Sequence, residues 1–154
     1  MGNIVESRYF RSGLLFLVCL LTLTGCPGSG DRIRFDETTQ VSRVGKDVCF
    51  RVLNSQGYQP AIISINLRHT SSIEKTFTDD PDVIIENGLL CISPSFYSFP
   101  EKGQFIVEYV LTSKKHNHEP RKFVVILEIN KGRIYNVPPT DKEITRPYNE
   151  ISEG

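Results

Sequence analysis

The sequence predicts an all-β protein built as an antiparallel β-sandwich. Seven short segments alternate apolar and polar residues, and Gly or Pro separates most of them from the next. No stretch of about ten residues or more repeats its apolar positions with the period of a helix. Alternation of this kind is typical of antiparallel sheets with one buried face, whereas the strands of a parallel sheet are apolar throughout.

The predicted strands follow one another through short connections. In chain order they cover residues 48–53, 62–67, 82–86, 89–92, 105–112, 123–129 and 133–137. The side chains expected to face the core are Val48, Phe50, Val52, Ile63, Ile65, Leu67, Leu90, Ile92, Phe105, Val107, Tyr109, Leu111, Phe123, Val125, Leu127 and Ile129. Asn87-Gly88 is a strong signal for a two-residue hairpin turn. About seven such strands in one domain predict a sandwich of immunoglobulin-like type.

A leader sequence precedes this domain. Two arginines lie before the apolar residues 14–23, an order typical of a secretory signal peptide. The stretch Leu-Thr-Gly-Cys at 23–26 resembles a bacterial lipobox, where the leader is cut off and the cysteine receives a lipid. We therefore expect residues 1–25 to be removed and Cys26 to be acylated. The apolar run is too short for a transmembrane helix, which takes roughly 20 residues; a plain secretory signal with a chance cysteine is the alternative.

The sequence divides into four parts. They are the leader (1–25), the lipidated cysteine with a flexible tether (26–34), the β-sandwich (35–138) and a polar C-terminal tail (139–154). We expect the tail to be partly ordered, and the alternative is that Tyr148 and Ile151 dock on the domain or on a partner. Once the leader is removed, 16 of the 18 basic and 17 of the 18 acidic residues remain. This near-neutral charge gives no electrostatic footprint for nucleic acid.

The predicted lipid places the chain in the cell envelope. Because the chain has no polybasic patch, its acyl chains must provide the membrane anchor. The domain is then expected to face the periplasm. Pro27 follows Cys26, whereas aspartate at that position is the usual signal for retention at the inner membrane, so we expect the outer membrane.

The positions of the four cysteines separate their roles. Cys19 leaves with the leader and Cys26 takes the lipid, so Cys49 and Cys91 remain as a pair in an oxidising compartment. We expect a disulfide between them, with two buried free thiols as the alternative. Both cysteines alternate with core-facing residues and therefore point to the outer face of a sheet. The bridge should then join two neighbouring strands of one sheet.

The sequence shows no arrangement typical of a catalytic or metal site. His116 and His118 with Glu119 lie in a polar connection, without a third ligand at the spacing of a metal site. His69 has no nucleophile marked as its partner, and the serines lack a G-x-S-x-G elbow. We therefore expect no enzyme, no metal and no cofactor. A hydrolase that uses His69 or His116 is the alternative.

One connection between strands is rich in aromatic residues. Phe96, Tyr97 and Phe99 lie between Pro94 and Pro100. Aromatic clusters are enriched at protein interfaces, which makes these three residues the candidate partner-binding residues. The favoured interpretation is a loop whose rings fold back and cap one end of the sandwich, and a platform on which carbohydrate stacks is a third.

Eight stretches distributed over the chain carry a family resemblance. They are Leu-Thr-Gly-Cys-Pro-Gly-Ser-Gly-Asp-Arg (23–32), Val-Cys-Phe (48–50), Tyr-Gln-Pro (58–60), Leu-Cys-Ile (90–92), Pro-Ser-Phe-Tyr (94–97), Gly-Gln-Phe-Ile-Val-Glu-Tyr (103–109), Leu-Thr-Ser-Lys-Lys (111–115) and Ile-Thr-Arg-Pro-Tyr (144–148). Together they resemble a family of small enterobacterial lipoproteins described as type VI secretion immunity lipoproteins of the periplasm.

The resemblance implies that the chain protects a cell against a toxin delivered into the periplasm. Protection would come from stoichiometric binding, in which loops or an edge strand of a rigid sandwich cover the active site of the toxin. The implied partners are thus a protein toxin and, through the lipid, a membrane. An accessory or structural envelope lipoprotein that binds another envelope component is the alternative.

Overall fold

The computed structural model describes residues 34–115 and 118–147, together with the single residue Gly13. Contacts divide the chain into two units, 1–33 and 34–154, and the strands described below belong to the second. Cys26 and His116 lie outside the described residues. In the part of the chain that the structure describes, no helix is long and apolar enough to cross a membrane.

The described residues form nine strands in two antiparallel sheets. They are β1 (Val41–Val44), β2 (Asp47–Arg51), β3 (Tyr58–Leu67), β4 (Thr78–Asp79), β5 (Ile85–Glu86), β6 (Leu89–Ile92), β7 (Lys102–Ser113), β8 (Arg121–Asn130) and β9 (Arg133–Val137). The sheets have the orders β1-β2-β6-β5 and β4-β3-β7-β8-β9. The first is the A-B-E-D order of an immunoglobulin domain, and β3-β7-β8 is its C-F-G order. The predicted immunoglobulin-like sandwich is confirmed, with β4 and β9 at the edges of the second sheet.

The structure has two strands beyond the seven predicted. β1 buries only Val41, and β4 is two exposed residues long, so neither shows the alternation that predicts a strand. Only Ile85–Glu86 of the predicted segment 82–86 is paired as a strand. Leu67, which was expected to face the core, is 59% exposed because it is the last residue of β3, at the end of the sandwich.

The core lies between the two sheets and contains all the other predicted core-facing residues, joined by Val41. Tyr109 is at its centre, where its ring stacks on Phe123 at a centroid distance of 4.8 Å and meets Phe50 at 5.8 Å. The Tyr109 hydroxyl has no hydrogen-bond partner among the described residues. Burial raises the pKa of this phenol far above its ordinary value of 10.0, so it stays neutral.

Two tight turns have the backbone conformation that their sequences require. Asn87 and Gly88 have φ angles of 52° and 73°, and Lys131 and Gly132 have 52° and 77°. Positive φ at both central residues is typical of a type I′ turn, which matches the twist of the flanking strands. The predicted Asn87-Gly88 hairpin therefore joins β5 to β6, and Lys131-Gly132 joins β8 to β9.

The predicted disulfide between Cys49 and Cys91 is present. The two residues are directly opposite each other on β2 and β6, with Cα atoms 4.0 Å apart. Neither cysteine belongs to the apolar cluster between the sheets, whereas Val48, Phe50 and Leu90 beside them do; Cys49 is nevertheless buried. The bridge therefore lies on the outer face of the four-stranded sheet and joins neighbouring strands, as the alternation predicted.

The outer face of the five-stranded sheet is covered by the C-terminal segment, residues 138–147. Ile144 of this segment is 7% exposed. It belongs to a second apolar cluster, formed by Ile106, Val124, Ile126 and Ile144 with Val137 packed against them. The first part of the predicted polar tail is thus packed on the domain, and Tyr148 and Ile151 lie outside the described residues.

The connection between β3 and β4 covers the other part of the same face. The Ser64 hydroxyl donates to the carbonyl oxygen of Thr76 at 2.8 Å, and the Thr76 N–H donates to Oδ1 of Asn66 at 3.0 Å. Lys75 forms an ion pair with Glu108 at 2.8 Å. These bonds satisfy the polar groups that the cover buries on the sheet.

A long-range ion pair fastens the C-terminal segment. Arg68 donates through Nε and Nη2 to the two carboxylate oxygens of Glu143, at 3.0 and 2.8 Å, and through Nη1 to Gln104 at 3.0 Å. Thr140 donates to the same carboxylate from its N–H and its hydroxyl. The Arg68 hydrogen bond is the largest cause that lowers the pKa of Glu143 from 4.5 to about 2.

Candidate functional site

The topology gathers the connections at two ends of the sandwich. We call one the entry end; it contains Arg34, the β2–β3 loop, the β5–β6 turn and the β7–β8 loop. The opposite end, called the far end, contains the β1–β2 turn, the β6–β7 loop and the β8–β9 turn. The pairing of Arg51 with Leu89 and of Leu111 with Arg121 places the named connections of each sheet at the entry end.

The β6–β7 loop brings the predicted partner-binding residues to the far end. The carbonyl of Ser93 accepts hydrogen bonds from the N–H groups of Phe96 and Tyr97, both at 3.0 Å. Tyr97 meets the edge of Phe99 at 4.8 Å, and Phe99 meets Phe105 of the core at 5.3 Å. The loop is therefore held by a short turn and by a chain of aromatic contacts that leads into the core.

The three aromatic side chains of this loop are half-buried against the core. Burial raises the pKa of Tyr97. Beside the loop is a cleft of about 240 Å³, whose lining includes Arg43 and Lys46. The packing shows that the rings cap the end of the sandwich. They remain partly exposed beside two basic side chains, and their role in partner binding stays a prediction.

Arg121 organises the entry end. It donates through Nε and Nη2 to both carboxylate oxygens of Glu37, each at 2.7 Å, and through Nη1 to the carbonyl of Leu53 at 2.9 Å. Its guanidinium also lies 5.2 Å from the ring of Tyr58 and 5.1 Å from that of Phe123. The Glu37 bond is the largest cause that raises the pKa of Arg121. One side chain thus ties the start of the domain to β8 and to the β2–β3 loop.

Arg34, the first described residue of the domain, contacts the β7–β8 loop. It forms an ion pair with Glu119 at 2.8 Å and donates to the carbonyl of Pro120 at 3.0 Å. The hydroxyl of Tyr58 donates to the carbonyl of Glu119 at 2.9 Å. The ring of His118 stacks on Tyr58 with centroids 5.7 Å apart. The chain therefore enters the domain against this loop.

The described histidines do not meet in a site. His118 is at the entry end, with Nδ1 3.3 Å from the Ser113 hydroxyl. His69 is exposed in a turn just after β3, at the far end. Among the described residues, no three His, Cys, Asp or Glu side chains are grouped closely enough to hold a metal ion. His116, named with them in the sequence, lies outside the described part.

The outer face of the four-stranded sheet carries a shallow groove of about 360 Å³ beside the disulfide. Its lining includes Asp47, Asp82 and Glu86 together with Leu89 and Cys91. Neither Lys nor Arg is among the described residues that line it. The lining of the groove therefore combines acidic with apolar side chains.

Side-chain amides of the five-stranded sheet form hydrogen bonds with the backbone at both edges of the four-stranded sheet. Gln59 accepts from the N–H of Ile85 at 2.9 Å and donates to its carbonyl at 3.4 Å. Asn136 accepts from the N–H of Val41 at 2.9 Å and donates to the carbonyl of Thr39 at 2.8 Å. Each amide thus imitates one residue of a neighbouring strand. It occupies backbone groups at an edge of the four-stranded sheet.

The fold and its bonds define a class of protein: an immunoglobulin-like β-sandwich domain with a disulfide inside one sheet and aromatic side chains at one end. Residues 36–132 match the family described as a domain of unknown function, DUF7480. Because the match covers more than half of the chain, the chain belongs to this family. The matched segment begins before β1 and ends in the β8–β9 turn. No curated protein and no solved structure matches the chain.

The two double hydrogen-bonded ion pairs were not found from the sequence. Arg121 and Glu37 are 84 residues apart, and Arg68 and Glu143 are 75 residues apart. Such pairs follow from the strand order, which periodicity does not give. Only Thr140 with Glu143 carries a local signal, since this spacing is that of a capping box.

Proposed function

We propose that the mature chain is a lipid-anchored protein of the cell envelope that faces the periplasm and neutralises a toxin delivered by type VI secretion. The observation that carries the proposal is the set of family-like stretches in the sequence. Residues 23–32 contain the lipobox and tether. Other stretches lie in β2, β6 and β7, which supports a likeness of the whole domain rather than of the leader alone.

The proposed mechanism is stoichiometric binding, which needs a preorganised surface and no catalytic group. The disulfide between β2 and β6 and the ion pairs of Arg121 and Arg68 fix the strands and loops in place. A surface that is rigid before binding loses little conformational entropy in the complex. These bonds therefore support tight association with a protein partner.

Loops are better candidates for toxin contact than the edge strands of the four-stranded sheet. Addition of a partner strand requires a row of free N–H and C=O groups along an edge. Gln59 and Asn136 occupy such groups on β5 and β1. The loop with Phe96, Tyr97 and Phe99 would bind through its side chains and needs no free backbone edge. It is therefore the binding surface that we favour.

Co-expression tests the proposal. The full chain is produced together with the toxin encoded by a neighbouring gene, and that toxin is exported to the periplasm. We expect growth to be restored and the two proteins to be recovered as a one-to-one complex. Tyr97→Ala should weaken the complex about tenfold, whereas Tyr135→Ala, a matched change on exposed β9, should leave it unchanged.

The result that contradicts the proposal is equally defined. A chain that is folded and present in the membrane fraction, yet fails to protect against any neighbouring effector, is not an immunity protein. Recovery of another envelope component without protection would instead support the accessory lipoprotein. Cys26→Ala checks the anchor, since this variant should leave the membrane fraction.

A further inference from the structure

Two residues at the start of the domain, Arg34 and Glu37, are held by contacts with β8 and with the loop before it. Arg34 is held to the β7–β8 loop by Glu119 and Pro120. Three residues later, Glu37 pairs with Phe123 of β8 through a parallel bridge and holds Arg121. Any anchor at Cys26 therefore pulls on the entry end of the domain.

The tether is short compared with the domain. The eight chain steps from Cys26 to Arg34 extend at most about 28 Å. A strand of ten residues such as β8 is about 33 Å long. A lipid on Cys26 therefore keeps the entry end within about 28 Å of the membrane, and the far end is one strand length farther away when the domain stands upright.

Charge at the entry end favours an anionic surface. Lys114 and Lys115 are both exposed, and neither forms an ion pair with a described residue. The carboxylates at the point of entry have partners, since Glu119 pairs with Arg34 and Glu37 with Arg121. Glu86, beside the β5–β6 turn of the other sheet, is exposed and forms no ion pair with a described residue. The stem of Lys115 lies beside Gly57 of the β2–β3 loop. The ammonium groups of Lys114 and Lys115, which form no ion pair with a described residue, are thus presented beside the point of entry.

We propose that the entry end rests on the membrane, with Lys114 and Lys115 against the phosphates of anionic lipid headgroups. Each lysine near such a surface strengthens attachment about fivefold at low salt. The far end, with its aromatic loop, then faces away from the membrane, where a partner in the periplasm reaches it first. This inference rests on the lipid anchor of the proposed function.

The chain has no tryptophan, so a single introduced Trp reports one position. Gln56→Trp labels the β2–β3 loop at the entry end, and Ser98→Trp labels the far end; both residues are exposed. The acylated full chain is placed in vesicles of phosphatidylethanolamine and phosphatidylglycerol that contain a dansyl headgroup lipid. We expect energy transfer to the dansyl group to be several-fold higher from position 56 than from position 98. Equal or reversed transfer overturns the proposal.

Charge reversal separates headgroup contact from simple proximity. Lys114→Glu with Lys115→Glu should lower transfer from position 56 in anionic vesicles. Lys46→Glu with Lys102→Glu, the same charge change at exposed positions of the far end, should not. If both pairs of changes have the same effect, the lysines do not contact headgroups. The proposal also fails if transfer from position 56 is unaffected by the first pair and falls only when the toxin is added, because the entry end then binds the partner.

The two proposals fail separately. Energy transfer is measured without any toxin, and protection is measured as growth. An acylated chain that protects cells but shows equal transfer from both ends contradicts only the orientation. A chain with the expected transfer that does not protect contradicts only the proposed function.

Discussion

The two outer faces of the sandwich are stabilised in different ways. The face of the five-stranded sheet is covered by the chain itself: Ile144 packs on it, and Arg68 holds the covering segment through Glu143. The face of the four-stranded sheet has a covalent bond between Cys49 and Cys91 and, beside it, a groove. One face thus gains stability by burying apolar area and the other by a crosslink, and the crosslink leaves that face accessible.

Removal of the disulfide is the largest expected effect. Cys49→Ala with Cys91→Ala opens a loop whose ends are 42 residues apart in sequence, which lowers the free energy of unfolding by about 4 kcal/mol on the chain-entropy argument. Urea unfolding measures this loss. Dithiothreitol should destabilise the unaltered protein to a similar extent and leave the double variant unchanged. An unchanged urea midpoint would show that the four-stranded sheet does not depend on its bridge.

Loss of the apolar cover is the next effect. Ile144→Ala removes most of a buried side chain from the second cluster, and a change of this kind costs about 2–3 kcal/mol. Ile73→Ala is the matched control, because Ile73 is 93% exposed and its loss should cost less than about 0.5 kcal/mol. Equal urea midpoints for the two variants would mean that residues 138–147 do not stabilise the sheet they cover.

The contrast between the faces also explains what the sequence predicts. The period of two along β7 and β8 groups the core-facing residues on one side of each strand. The other side is only partly polar, because Ile106, Val124 and Ile126 are apolar and lie under the cover. The same alternation places Cys49 and Cys91 on the outer face. It does not identify the cover, because Ile144 is an isolated apolar residue in a polar segment. Its burial depends on where β9 ends and on the pairing of the neighbouring Glu143 with Arg68, 75 residues away.

In the candidate site, too, some features follow from local sequence patterns and others depend on contacts between distant residues. The aromatic cluster at Phe96, Tyr97 and Phe99 is visible as a local run, and its position after β6 follows from the hairpin before it. That its rings continue into the core through Phe105 requires the register of β7. The contact of Arg34 with Glu119 depends on the return of β8 beside the start of the domain, which no short-range pattern contains.

The smallest effect, and the one that depends on pH, concerns the ion pair of the cover. Glu143→Gln keeps the shape of the side chain but removes the charge that Arg68 and Thr140 contact, and we expect a loss of about 1–2 kcal/mol at pH 7. Glu119→Gln is the control, because the pair of Glu119 with Arg34 is exposed and such pairs contribute about 0–1 kcal/mol.

The pH dependence follows from the lowered pKa of Glu143, which is about 2 in the folded protein against an ordinary 4.5. A carboxylate with a lowered pKa stabilises the fold fully above its unfolded pKa and loses that contribution as the pH falls through the folded value. The difference in melting temperature between the unaltered protein and Glu143→Gln should therefore be constant from pH 7 to about pH 5 and shrink toward pH 2. A difference that persists undiminished at pH 2 would show that Glu143→Gln acts by disturbing hydrogen bonds or packing rather than by removing a charge. In that case the charge of Glu143 would not distinguish the two outer faces, and the distinction would lie in the apolar cover and the crosslink.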